Sequence, residues 1–146
     1  MITIREQIRI DAPLSEVFDY MNQPGNQPEI TPSLVRSETL ETLENGGKRV
    51  AYGYEMAGIG LDGEIRAVEY EPESYVRWEM TGDLEGEIEW EFGQEDDGTV
   101  VTYATEYEIP VPVLDAVVEP FVQRYNEREL RTTLENLRTR LEHAEA

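Results

Sequence analysis

Apolar and polar residues alternate with a period of two along most of the chain, the spacing of strands that bury one face. The clearest case is EGEIEWEFG, residues 85–93, in which three glutamates alternate with Ile88, Trp90 and Phe92. The same alternation predicts strands over residues 2–10, 49–57, 64–72, 75–82 and 99–109, and a weaker strand over 34–44. We therefore predict a protein built mainly from strands with one apolar and one polar face.

Helical spacing is confined to two parts of the chain. After the first strand, DAPLSEVFDYMN places Pro13 where a first helical turn tolerates proline, with Val17, Phe18 and Met21 at helical spacing behind it. The following QPGNQPEITPSL contains three prolines and a glycine, so it allows one or two short helical turns. From about residue 114 to residue 141 the spacing predicts one long C-terminal helix.

This order of elements predicts an α+β fold. One strand and two short helices precede a run of about six strands, and short connections make the sheet of about seven strands antiparallel. The glutamates would cover its solvent face, and the long helix is the only large element left to cover the apolar face. With 146 residues, we expect residues 1–146 to form a single domain.

The charge balance is strongly acidic and limits the partners. The chain has 32 Asp and Glu against 12 Lys and Arg, a formal net charge of −20, spread along its whole length. Such a surface repels phosphate backbones and anionic lipids, so we expect neither a nucleic acid nor a membrane surface as partner. No signal peptide and no membrane-spanning apolar run is evident, so we expect a cytoplasmic protein.

Several chemistries are disfavoured by what the sequence lacks. The absence of cysteine excludes disulfides, thiolate metal sites and a cysteine nucleophile. The single histidine, His143, lies close to the C-terminus, which argues against histidine catalysis and histidine metal clusters. We therefore predict no metal and no cofactor.

A glycine motif in the middle of the chain imitates a nucleotide site. GIGLDG, residues 58–63, has the glycine spacing of a dinucleotide fingerprint, but the strand-like EIRAVEY follows it. A pyrophosphate would need a helix N-terminus at that point. We interpret these glycines instead as a flexible hairpin loop that could flank the mouth of a cavity.

The chain resembles the START-like superfamily, also called SRPBCC or the helix-grip fold, and within it the polyketide cyclase/dehydrase-like branch. The resemblance rests on the order of elements, on IRIDAPLSEVFDYMNQPGNQPEITPSL near the start, on VEYEP at 68–72 and on the leucine-spaced LRTTLENLRTRLE at the end. It implies a curved antiparallel sheet that grips the C-terminal helix, with an apolar cavity between them. The family's members bind lipids, hormones, polyketides and quinones, or catalyse cyclisation and dehydration, without a shared catalytic signature.

The inward faces of the predicted elements supply the candidate cavity residues. Apolar and aromatic walls are typical of small-molecule pockets, and buried tyrosine hydroxyls need a polar ligand or trapped water. The candidate ligand-binding residues are Tyr52, Tyr54, Met56, Trp78, Met80, Trp90, Phe92, Tyr103, Tyr107, Phe121 and Tyr125. The alternative is that these side chains only pack the core.

The last helix has two apolar stripes that do not line up at about 100° per residue. One consists of Leu114, Val118, Phe121, Val122 and Tyr125, and the other of Leu130, Leu134, Leu137 and Leu141. Pro120 could break or kink the helix and absorb the rotation. Asn126, Glu129 and Thr133 lie between the stripes, where the spacing favours a solvated flank; groups that face the cavity are the alternative.

Most acidic residues belong to the solvated face of the sheet. The strand registers place Glu55 and Arg77 outward. Glu64 and Arg66 lie in a strand with apolar residues on both faces, so their register is ambiguous. A buried Glu64 or Arg66 would be the first acid–base candidate.

Three functions are consistent with these features. The first is binding of a small hydrophobic molecule, such as an isoprenoid lipid, a quinone or a polyketide-like ring. The second is a cyclase, dehydratase or hydrolase that uses cavity tyrosines and an inward carboxylate as acid and base. The third is a protein-interaction module that acts through its helices, with a partner or as a homodimer, and an exposed apolar patch on residues 14–30 or on the last helix would favour it.

The composition predicts a stability that depends on salt. With one lysine and no cysteine, it resembles the composition of cytoplasmic proteins from extreme halophiles, in which salt screens the repulsion between carboxylates. We expect the melting temperature to rise steadily between about 0.1 M and 2 M potassium chloride as screening increases. Full stability in low salt would contradict the halophile hypothesis. As a control, the same measurement is made with an uncharged osmolyte in place of potassium chloride.

Overall fold

The computed structural model describes residues 1–56, 58–111, 113 and 118–144, which include a seven-stranded antiparallel sheet and a long C-terminal helix. The strands are β1 (Ile2–Ile10), β2 (Leu34–Thr42), β3 (Lys48–Met56), β4 (Ile59–Glu71), β5 (Tyr75–Gly82), β6 (Glu85–Glu95) and β7 (Gly98–Glu108). The helices are α1 (Leu14–Met21), α2 (Gln27–Ile30) and α3 (Glu119–Ala144), with a 3-10 turn at Pro24–Asn26 between the first two. The predicted α+β class, the number of strands and the two short helices after the first strand are confirmed.

The strand order explains where the short helices lie. The order is β1-β7-β6-β5-β4-β3-β2, so β2 to β7 form a meander and β1 pairs with β7. Strands β1 and β2 are therefore the two edges of the sheet, and the segment that joins them must cross its full width. On the way, Phe18 of α1 packs edge-to-face on Phe92 of β6, with ring centroids 5.2 Å apart.

The two faces of the sheet differ as the alternation predicted. On the outer face, Arg77 donates hydrogen bonds to Glu69 (2.9 Å) and Glu87 (2.8 Å). On the inner face, Trp90 and Phe92 are buried. The C-terminal helix is not the only cover of that face, since α1 covers Phe92.

The structure corrects the two-stripe interpretation of the last helix. Pro120 is the second residue of α3, in a first turn where proline is tolerated, and it marks the start of the helix rather than a kink. The buried face runs without rotation from Val122 to Leu141, and Asn126 and Thr133 are part of it, 7% and 3% exposed. The expectation of a solvated flank is therefore wrong for these two residues.

Two apolar residues of the first stripe do not belong to the buried face. Val118 and Phe121 are 69% and 49% exposed, so they point away from the sheet, and Leu114 lies outside the described residues. The other end of α3 is well anchored, because Asn136 donates to the backbone oxygen of Ile30 in α2 (3.0 Å). Among the described residues, no helix is long and apolar enough to cross a membrane.

The predicted loop over residues 58–63 is instead mostly strand. A tight turn containing Gly58 (φ 78°) leads into β4, which begins at Ile59. The absence of a helix after these glycines agrees with our rejection of a dinucleotide site. Gly63 lies on the inner face, where a side chain would collide with the Tyr52 ring and the Thr81 backbone.

A bulge in β4 accounts for its ambiguous register. The pairing with β5 shifts between Ala67 and Glu69, so apolar residues on both sides of the bulge can face inward. Glu64 lies on the outer face, where Arg49 donates to it at 2.6 Å, and Arg66 is exposed. Neither Glu64 nor Arg66 is the buried acid–base group that the sequence left open.

Strand β6 contains two glycines that should respond differently to substitution. A Cβ at Gly86 would collide with the Glu106 carbonyl oxygen and lie 2.6 Å from the Tyr107 Cα, whereas a Cβ at Gly93 meets no atom of the described residues within 4 Å. We expect Gly86→Ala to lower the free energy of unfolding by about 2 kcal/mol or more, and Gly93→Ala to leave it unchanged or slightly higher. Urea denaturation in high salt measures the free energy of unfolding of both variants. An equal decrease in the two would contradict the close packing of β6 on β7.

Candidate functional site

A cavity of about 160 Å³ lies between the inner face of the sheet and α3. Helix α3 lies closest to β1 and α2, so it covers one edge of the sheet and leaves space over the strands beyond. All seven strands, α3 and the segment between α1 and β2 contribute lining residues. The cavity has the position that the family resemblance implied.

Most of the predicted cavity residues line it. They are Tyr52, Tyr54, Met56, Trp78, Met80, Trp90, Tyr103 and Tyr107. Their alternation along β3, β5, β6 and β7 puts them on one face, and antiparallel pairing brings them together. Contact of any of them with a ligand stays a prediction.

Three predicted residues lie outside the lining. Phe92 is on the inner face, but its ring packs against Phe18 of α1 and against Trp90. Phe121 is half exposed on α3. Tyr125 does not line the cavity, and its hydroxyl is 2.7 Å from Ser33 Oγ.

The floor of the cavity is an aromatic cluster. Trp78 and Trp90 meet edge-to-face with centroids 5.2 Å apart, and Tyr103 lies 6.1 Å from Trp90. Such contacts hold the rings in defined orientations. The floor can therefore present a fixed apolar surface to a bound molecule.

Four buried polar side-chain atoms make no hydrogen bond of normal geometry with the described residues, and all four belong to cavity-lining residues. They are the hydroxyls of Tyr52 and Tyr107 and the indole nitrogens of Trp78 and Trp90. An unpaired buried polar group is costly, and native proteins satisfy nearly all of them. The cavity therefore has unused hydrogen-bonding capacity that water or a ligand can satisfy.

The helix side of the cavity carries a polar cluster that includes Glu129. Tyr54 donates to Glu129 Oε1 (2.8 Å), with Asn126 Oδ1 also within 3.2 Å. Ser33, which precedes β2, donates to Glu129 Oε2, and Tyr125 is hydrogen-bonded to Ser33. The carboxylate is thus oriented directly by Tyr54 and Ser33, and indirectly by Tyr125 through Ser33.

The cluster strongly affects the tyrosines. Burial first, and then the neighbouring Glu129 carboxylate, raises the pKa of Tyr54 far above its ordinary value. The same two causes raise the pKa of Tyr107, and the nearby Asn126 amide lowers it slightly without forming a hydrogen bond of normal geometry. Both hydroxyls therefore stay protonated at neutral pH, where each can donate and accept hydrogen bonds or act as a weak acid.

Sequence reasoning left open the groups that give the cavity its polarity. Asn126, Glu129 and Thr133 all line the cavity, although the spacing favoured a solvated flank for them. The signal that could have placed them there was their spacing of three and four residues along one helix face. It was hidden because polar residues on a buried face do not add to a hydrophobic pattern.

Comparisons with known proteins agree with this geometry. A family model described as polyketide cyclase/dehydrase and lipid transport matches residues 1–142. No curated protein matches the sequence.

Solved structures with the same architecture come from several bacteria. A Thermus thermophilus protein, TTHA0849, has a TM-score of 0.84 at 20% identity, with 99% of each chain covered. A START superfamily protein from Mycobacterium smegmatis has a TM-score of 0.80 at 14% identity, and the match covers 97% of this chain and 98% of that one. The ZhuI aromatase/cyclase from Streptomyces sp. R1128 has a TM-score of 0.78 at 14% identity, and the match covers 99% of this chain and 95% of that one. At these identities the likeness shows the shared fold.

The buried tyrosines predict an alkaline limit to stability. Burial raises the pKa of Tyr52 and of Tyr103 to about 12, against about 10 in the unfolded chain. The unfolded state therefore loses protons first, so stability is fully present below pH 10 and falls as the pH rises towards 12. Each such tyrosine should lower the free energy of unfolding by roughly 1 kcal/mol for each pH unit between about pH 10 and pH 12.

Urea denaturation between about pH 9 and pH 11 measures this slope, and tyrosinate absorbance shows whether ionisation accompanies unfolding. Tyr107→Phe should make the slope shallower, because its raised pKa contributes in the same direction. A free energy of unfolding that is flat across this range would contradict the burial of these hydroxyls.

Proposed function

We propose that this chain, which belongs to the polyketide cyclase/dehydrase and lipid transport family, binds a small, mostly apolar molecule in the cavity between the sheet and α3. The observation that carries the proposal is the location of the four unpartnered polar atoms. Every one that is found among the described residues belongs to a cavity-lining side chain. A core evolved only for packing would pair them or replace them by apolar groups.

The size of the cavity narrows the ligand class. A volume of about 160 Å³ is close to that of an engineered protein cavity that takes up benzene. One aromatic or quinone ring, or one ring of a polyketide-like molecule, therefore fits without rearrangement. A long lipid would have to displace side chains or extend out of the cavity.

A second candidate function is proton-transfer catalysis of the cyclase or dehydratase type. The specific observation in its favour is the hydrogen bond from Tyr54 to Glu129, an inward carboxylate next to a protonated hydroxyl. Glu129 would accept a proton from the substrate, and Tyr54 would donate a hydrogen bond to the carboxylate or to a substrate oxygen. We place this second because binding needs only the cavity, whereas catalysis also needs a reactive substrate atom at Glu129.

The interaction module has narrower support. Val118 and Phe121 at the start of α3 are exposed. Residues 14–30, in contrast, expose no large apolar side chain. A homodimer stays a prediction.

Binding can be read out directly, because both tryptophans of the chain line the cavity. We expect one-ring quinones and phenols to quench tryptophan fluorescence with a saturable dependence on concentration. Ile65→Phe, which adds bulk to the lining, should weaken binding at least about tenfold if the added ring occupies the cavity. Arg66→Phe places the same ring on the outer face at the next residue and should leave binding unchanged.

Native mass spectrometry of protein purified from its own host in high salt identifies the natural molecule. A stoichiometric co-purifying ring compound or lipid supports binding, and its conversion on incubation with fresh protein, for example by loss of one water, favours the catalytic function. An empty protein whose fluorescence and thermal stability respond to none of these probes would overturn the proposal.

A further inference from the structure

We propose that Glu129 selects the ligand: the bound molecule carries a hydrogen-bond donor that reaches this carboxylate, and anionic molecules are rejected. The proposal rests on the binding function proposed above. It concerns a residue at the centre of the polar cluster on the helix side of the cavity. The contacts of that cluster show which of its acceptor atoms receive a hydrogen bond and which do not.

The hydrogen bonds around Glu129 have a definite direction. Ser33 has one hydroxyl hydrogen and gives it to Glu129 Oε2. Tyr125, whose hydroxyl is 2.7 Å from Ser33 Oγ, must therefore be the donor in that pair. The Tyr125 hydrogen therefore goes to Ser33 Oγ and the Ser33 hydrogen to the carboxylate, so neither is left over for a neighbouring acceptor.

Tyr54 leaves an acceptor unsatisfied. Its single hydrogen has two acceptors in range, Glu129 Oε1 at 2.8 Å and Asn126 Oδ1 at 3.2 Å, and the nearer, charged oxygen is favoured. Asn126 cannot reverse its amide without losing the bond from Nδ2 to the Val122 carbonyl oxygen (2.9 Å). The nearby Tyr107 hydroxyl makes no hydrogen bond of normal geometry with Asn126, so Asn126 Oδ1 faces the cluster without a well-formed hydrogen bond.

Acceptors thus outnumber donors on this wall. A carboxylate offers about four lone-pair sites, and the described side chains fill two of those on Glu129. Together with Asn126 Oδ1, the wall can accept further hydrogen bonds from a molecule in the cavity. A ligand that brings a hydroxyl or an ammonium group supplies what is missing.

The charge of the site favours the same ligands. The described lining includes no arginine, lysine or histidine, and Glu129 is its only carboxylate. No ion pair of Glu129 is present among the described residues. The whole chain adds a formal net charge of −20. An anion in the cavity would face an uncompensated carboxylate in a partly apolar site, which is costly.

Four matched one-ring probes test the selection on the wild-type protein, with tryptophan fluorescence as the readout. They are ethylbenzene, 4-ethylphenol, 4-ethylbenzylamine and 4-ethylbenzoate, which differ only in the group opposite the ethyl chain. Because a hydrogen bond to a charged group is strong, we expect a donor probe to bind about 10-fold or more tightly than ethylbenzene. The benzoate should bind more weakly than ethylbenzene.

The two donor probes show which kind of donor group the site prefers. Tighter binding of 4-ethylphenol identifies a neutral hydroxyl, and tighter binding of 4-ethylbenzylamine identifies an ammonium group. Either result supports the proposal. Equal affinity for ethylbenzene and both donor probes, or benzoate binding as tight as that of the phenol, would overturn it.

A variant then assigns the preference to Glu129. Glu129→Gln keeps the shape of the side chain but removes its charge, so it should reduce the donor preference about 10-fold and relieve the rejection of the benzoate, both measured relative to ethylbenzene binding by the same variant. Glu135→Gln, an exposed position on the same helix, makes the same change in net charge and should retain both preferences. Unchanged discrimination in Glu129→Gln would refute the assignment.

The outcomes separate this inference from the binding function. If no probe binds, the binding function itself fails. If ethylbenzene binds but the donor probes gain nothing, only the role of Glu129 fails. Circular dichroism confirms that the variants fold, and if Glu129→Gln does not, the wild-type probe series decides.

Discussion

One helix cannot cover a seven-stranded sheet, and most of the structure follows from that mismatch. Seven strands spaced by about 4.8 Å span roughly 29 Å, whereas a helix with its side chains is about 10 Å wide. Helix α3 lies along β1, and the segment with α1 and α2 crosses from one edge of the sheet to the other. Between these covers, large aromatic side chains fill part of the space and the cavity occupies the rest.

The residues around that space break the rule that buried faces are apolar. Asn126 and Thr133 occupy buried positions of α3, and Glu129 lies beside them in the lining. On the opposite wall, Trp78 and Trp90 present indole N–H groups that make no hydrogen bond of normal geometry with the described part of the chain. The cavity thus has acceptors in excess on the helix side and donors in excess on the sheet side. Departures from local rules of this kind are expected where a protein binds or transforms another molecule.

The outer face of the sheet obeys a different balance. Arg49 and Arg77 each bridge two glutamates on neighbouring strands, which offsets like-charge repulsion locally. With 12 basic residues for 32 acidic ones, most carboxylates cannot have such a partner and rely on water and salt. Exposed ion pairs contribute little individually, so the stability of the fold comes mainly from the inner face.

The sequence by itself determined the α+β class, the strands and the face on which the aromatic residues lie. This is possible because the period of two is a local property of the chain, and strict alternation such as that of Ile88, Trp90 and Phe92 states which residues share a face. Eight of the eleven predicted cavity residues line the cavity for this reason.

Only the tertiary structure decided how the helix is rotated and which polar groups face inward. Phe121 points to solvent and Asn126 inward, because the buried face of α3 is set by its position along β1 and next to the cavity rather than by hydrophobicity alone. The bulge in β4 and the hydrogen bonds that converge on Glu129 join residues far apart in the chain. Periodicity cannot predict such contacts, since each depends on two elements packed together.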